Sequence, residues 1–96
     1  MNLRPFHVAV PVDDLQQARA FYGGLLGCAE GRSDKDWIDF NLFGHQVVCH
    51  RVEGHKDLPS PCNKVDGQQV PVPHYGVVLA WADWELLPQR LTEAQV

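Results

Sequence analysis

The chain has 96 residues, 45% of them hydrophobic and 21% charged, with a formal net charge of −4, a balance that suits one small core. That charge offers no basic footprint for nucleic acid. No apolar run nears the ~20 residues of a membrane span, and the opening Met1-Asn2-Leu3-Arg4-Pro5 lacks the apolar centre of an export signal, so a cytoplasmic protein without a nucleic-acid or membrane partner is expected. Cys28, Cys49 and Cys62 form no Cys-x-x-Cys pair and are expected to be reduced small hydrophobes, mostly buried.

In chain order, residues 5–11 read as a strand. Phe6, Val8 and Val10 point one way, and His7, Ala9 and Pro11 the other. Asp13 or Asp14 is a natural helix N-cap. Leu15, Ala18, Phe21, Tyr22, Leu25 and Leu26 then recur at helical spacing. Gly23-Gly24 weakens that helix by about 1 kcal/mol per glycine, and Gly27 suits a left-handed cap. Residues 28–32 form a weak strand candidate. Trp37–Leu42 is a better one, followed by a turn at Phe43-Gly44-His45 and a strand over 46–52. On that last strand Val48 and His50 share a face, opposite Val47 and Cys49.

Residues 53–72 carry Gly, Pro, Asn, Asp and Lys with little periodicity and read as a long loop. His74–Leu79 reads as another strand, with His74, Gly76 and Val78 on one face. A helix follows from about Asp83 to Glu93, where Pro88 predicts a late start or a kink. Trp37, Trp81 and Trp84 are expected to bury area, His45 to be a turn residue and His55 to be solvated.

The pattern is a repeat. Phe6-His7-Val8-Ala9-Val10 leads through Asp13-Asp14 to a helix, and His74-Tyr75-Gly76-Val77-Val78 leads through Asp83 to another. The expected organisation is a single domain over 1–96. It holds a strand–helix–three-strand module over 1–52, a linking loop over 53–72 and the start of a second module over 73–96. The expected fold class is α+β: paired βαβββ modules forming a curved mixed sheet, helices outside, the second module incomplete. His7 and His74 occupy equivalent places in the two copies, which suggests a site built between them. His50, on the face of Val48, is a candidate acid/base residue near neutral pH.

Phe6-His7-Val8-Ala9-Val10-Pro11-Val12-Asp13-Asp14-Leu15, followed by Phe21-Tyr22-Gly23-Gly24-Leu25-Leu26-Gly27, resembles the opening of the vicinal oxygen chelate superfamily. That superfamily includes glyoxalase I, extradiol dioxygenases and bleomycin-binding proteins. Asp39-Phe40-Asn41-Leu42-Phe43-Gly44-His45-Gln46 and Val70-Pro71-Val72-Pro73-His74-Tyr75-Gly76 are similar to the small bacterial proteins described as predicted extradiol-type dioxygenases. The resemblance implies two histidines, matching His7 and His74, and a glutamate around a divalent metal. The metal would be Fe(2+) first, with Mn(2+) or Zn(2+) as alternatives. The glutamate's place lies past Val96, and its first-module equivalent is about Val48, which binds no metal.

The resulting expectation is a metal-dependent dioxygenase-like or glyoxalase/lyase-like enzyme for a small oxygen-bearing organic substrate, its activity in doubt without the third ligand. The alternative is a metal-free small-molecule binding protein of the bleomycin-resistance type. The sheet edge beside residues 74–79 predicts a homodimer.

Overall fold

A computed structural model describes residues 1–96. Four strands form one open mixed sheet: β1 (His7–Val12), β2 (Glu30–Asp34), β3 (Trp37–Leu42) and β4 (His45–Arg51), in the order β1-β4-β3-β2. β1 runs parallel to β4, while β3 is antiparallel to both β4 and β2. A parallel pair needs a crossover, and here a helix and two strands supply it.

The helix starts where a carboxylate can satisfy its first amides. Asp14 Oδ1 accepts from the backbone N–H of Gln16 (2.7 Å) and Gln17 (3.0 Å), so of the two candidate caps Asp14 is the one used. The first turn, α1 (Leu15–Ala18), is α-helical, and Arg19–Leu25 continues it with a wider π-helical winding. The Leu26 amide reaches back five residues to the Phe21 carbonyl at 2.9 Å. The two-glycine stretch therefore widens the helix rather than ending it. Gly27 follows at φ 70°, the left-handed stop expected from its place.

One face of the sheet packs on this helix. Ile38, Phe40, Val47 and Cys49 are fully buried there, joined by Ala18, Cys28 and Leu42, with Val8, Val10, Val12, Leu15, Tyr22 and Leu26 against them. Phe6 departs from the expected pattern: it lies outside the core and stacks on His45, centroids 4.2 Å apart. The turn joining β3 to β4 places Phe43 at φ 51° and Gly44 at φ 92°. These are the two left-handed residues that a tight hairpin requires.

The second half differs more from its expectation. Residues 53–72 are not an unstructured loop. They hold a 3-10 turn at His55–Asp57 and a hairpin of β5 (Cys62–Val65) and β6 (Gln68–Pro71) about the left-handed pair Asp66-Gly67. Conversely, residues 74–79 form no strand. A strand is held by its ladder, and this segment has no neighbour to pair with. α2 (Trp81–Glu93) starts before Asp83 and runs through Pro88. The Arg90 guanidinium donates to the Leu25 carbonyl, tying α2 to the end of the first helix.

Trp37 is half-buried, but Trp81 and Trp84 are 72% and 55% exposed, against expectation. No element covers that side of α2, and none of its residues is buried. Cys28 and Cys49 are buried and Cys62 is exposed, all as free thiols. No helix is long and apolar enough to cross a membrane.

Candidate functional site

The face of the sheet opposite the helix carries the polar residues. Register sets them side by side: His7 beside Gln46, Ala9 beside Val48 and Pro11 beside His50 across β1 and β4. Trp37, Asp39 and Asn41 stand beside His50, Val48 and Gln46 across β3 and β4. Period-two alternation turns all of them to the side away from the core. A hollow of about 200 Å³ opens here, lined by His7, Arg32, Trp37, Asp39, Gln46, Val48 and His50. The Arg32 guanidinium lies over the Trp37 ring at 5.6 Å.

A hydrogen-bonded chain crosses the floor. Asp39 is the one buried charged residue, 6% exposed. Its Oδ1 accepts from the Arg32 backbone N–H at 2.7 Å and its Oδ2 from Gln46 Nε2 at 3.0 Å. Gln46 Oε1 lies 2.8 Å from His7 Nδ1. An amide oxygen only accepts, so His7 carries its proton on Nδ1 and keeps the lone pair on Nε2.

His74 reaches the same state by a different route. Its Nδ1 lies 2.8 Å from the Pro71 carbonyl oxygen, which can only accept, so Nε2 again holds the lone pair. His74 is not among the residues lining the hollow of His7 and His50. The neighbouring Tyr75 hydroxyl meets the Tyr22 hydroxyl at 2.7 Å. Burial first, and then this bond, pushes the Tyr22 phenol well above its ordinary value.

Taken singly, each histidine's donor chemistry fits a divalent metal, although the two line no common hollow. Each imidazole is oriented by an acceptor at Nδ1 and offers Nε2, the arrangement metal-ligating histidines adopt. The third donor does not: no group of three or more His, Cys, Asp or Glu side chains stands close enough to hold an ion. Val48, at the symmetry-related place, is an aliphatic wall of the hollow.

The other histidines are accounted for locally. His45 accepts the Phe6 backbone N–H at Nδ1, 3.2 Å, so its tautomer is opposite to that of His7. His45 lines a larger neighbouring hollow of about 420 Å³ that shares Asp39 and Gln46 but contains neither His7 nor His50. His55 is half-buried rather than solvated: its Nε2 stands 2.9 Å from Asp13 Oδ1, though not aligned as a hydrogen bond. Sequence reasoning placed His7, Val48 and His50 on one face but missed Asp39 and Gln46. The available signal was their parity: both fall on the inward polar side of strands whose other side is apolar.

No protein-family model matches the chain, and no curated protein matches it. Solved structures do. A glyoxalase/bleomycin resistance protein/dioxygenase from Alicyclobacillus acidocaldarius superposes with a TM-score of 0.71 at 26% identity, covering 96% of this chain and 64% of that one. A lactoylglutathione lyase from Agrobacterium tumefaciens gives a TM-score of 0.61 at 17% identity, covering 95% of this chain and 69% of that one. The chain thus spans less than two thirds of the first structure's length. Its β1-β4-β3-β2 sheet, the outer helix and these likenesses together give the chain the fold of the vicinal oxygen chelate superfamily, to which those structures belong.

Proposed function

We propose that the chain contributes the histidine side of a metal-dependent site acting on a small oxygen-bearing organic molecule, in dioxygenase-like or glyoxalase/lyase-like chemistry. The observation that carries this reading is the shared state of His7 and His74. Both commit Nδ1–H to a fixed acceptor and leave Nε2 as a donor. His7 and His74 would hold the ion, Fe(2+) by preference, with Mn(2+) or Zn(2+) as alternatives. Such an ion supplies Lewis acidity toward neighbouring substrate oxygens and, in the case of iron, reactivity toward dioxygen.

The chain's own groups define the rest. Arg32 and His50 line the hollow from opposite sides of Trp37 and favour an anionic or oxygen-rich ligand. His50 lines the hollow, where its imidazole can exchange a proton with a bound ligand. The edge expected beside residues 74–79 does not form, because that segment is no strand; pairing of two copies would instead use the open edge at β1, and a homodimer gives a second chain from which a third ligand can come.

The test is metal content. Wild-type protein loaded with Fe(2+), Mn(2+) or Zn(2+) and passed through a desalting column should retain one of them. His7→Ala and His74→Ala should each lose most of it. Equal metal content in all three proteins would remove the reading.

A second reading is favoured by the lack of a three-donor cluster: a metal-free small-molecule binding protein of the bleomycin-resistance type. It predicts ligand affinity indifferent to a chelator, whereas the metal reading predicts affinity that the chelator abolishes.

A further inference from the structure

Asp39 is a buried carboxylate in the floor of the hollow, bonded to the Arg32 N–H and to Gln46 rather than to His7. We propose that Asp39, acting through Gln46, sets the tautomer of His7 and thereby keeps the lone pair on Nε2. Asp39 and Gln46 are positioning residues in this scheme. The inference rests on the reading of His7 as a metal ligand and deepens it.

β2 and β3 pair regularly except between Glu30 and Ser33, where a bulge interrupts the register. The bulge releases the Arg32 N–H, which turns to Asp39 Oδ1 at 2.7 Å. Gly31 is what allows this approach: a Cβ there would run into the Asp39 carboxylate. Held in this way, Asp39 presents Oδ2 to Gln46. An ionised carboxylate only accepts, so Gln46 must turn its NH₂ toward it, at 3.0 Å. The planar amide then leaves its oxygen facing His7 Nδ1, at 2.8 Å. Each group's polarity is dictated by the one before it, and the sequence ends in Nδ1–H with a lone pair on Nε2. His74, by contrast, is set by a backbone carbonyl, which no side-chain substitution removes.

The experiment reads protonation directly, with no metal present. Two-bond ¹H–¹⁵N correlation spectra of the labelled full chain report which nitrogen of each imidazole carries hydrogen. They are recorded well above the ordinary imidazole pKa of about 6.5. Wild-type His7 and His74 should both be protonated at Nδ1. Asp39→Asn keeps the size and an oxygen for the Arg32 N–H but turns an NH₂ toward Gln46. Gln46 must then reverse, place its own NH₂ against His7, and move the imidazole hydrogen to Nε2. The expected result is a swapped His7 pattern beside an unchanged His74. Gln46→Leu removes the acceptor, so His7 should relax to the Nε2–H form that a free side chain prefers.

A wild-type His7 protonated at Nε2 overturns the proposal, as does a His7 that stays Nδ1–H in a folded Asp39→Asn protein. Should Asp39→Asn not fold, Gln46→Leu decides by the same criterion. Zn²⁺ added to the same samples separates the two claims. Asp39→Asn should bind it 10–100-fold more weakly than wild type. Zinc affinity that survives His7→Ala would remove the ligand role of His7, while the metal-free spectra would still stand or fall on the relay alone.

Discussion

Cys49 shows how far a single side chain feels the core. It has no exposed surface, and burial pushes its thiol from 9.0 up to about 11. Cys28 moves in the same direction for the same reason. A folded-state value above the unfolded one means that the folded protein holds its proton longer. Stability is therefore intact below pH 9.0 and lost as pH climbs through about 11. Urea midpoints measured across that window should fall continuously, and the reactivity of Cys49 toward thiol reagents should rise with them. A midpoint that stays level to pH 11 contradicts the linkage. At this scale the sequence was informative about orientation and silent about partners. Alternation along β4 put Val48 and His50 on one face and Val47 and Cys49 on the other, as found. It could not say that Gln46 would bond both His7 and Asp39, because that depends on two other strands arriving in register.

Elements were legible where local chemistry and pairing agree. β1, β3 and β4 fall within a residue or two of the spans their alternation suggests. Asp14 begins the helix because its carboxylate reaches the amides of Gln16 and Gln17. Asp14→Ala should cost about 0.5–2 kcal/mol of unfolding free energy, the usual loss of an N-cap. Asp13→Ala, which touches only the exposed Lys56 and the half-buried His55, should cost less, in the range of about 0–1 kcal/mol for surface pairs. Urea unfolding of both variants checks the order, and equal costs would mean that the cap is not what starts the helix. Two elements went unread. The Asp66-Gly67 turn was visible as a hairpin signal, but Cys62–Val65 and Gln68–Pro71 lack an apolar face to reinforce it. Residues 74–79 alternate as a strand should, yet have no ladder to join. A sequence pattern reports the propensity for a strand and not the presence of its neighbour.

At the scale of the molecule, the first helix and the four-stranded sheet form one packed unit, and α2 with the segment before it lies beside that unit. The buried core lies between the first helix and the four-stranded sheet, with Val77 packed against it from the segment before α2. The second unit attaches through a few contacts, among them Arg90 to Leu25 and Tyr75 to Tyr22. His7 stands on β1 and His74 on a segment without regular structure, so metal binding at both requires an ion to bring the two together. The direct measurement is zinc titration of the ¹⁵N-labelled chain, followed at the imidazole nitrogens. The account predicts that the Nε2 signals of His7 and His74 shift together along one binding curve while both Nδ1 atoms stay protonated. Nε2 shifts at only one of the two histidines, or at neither, would contradict it.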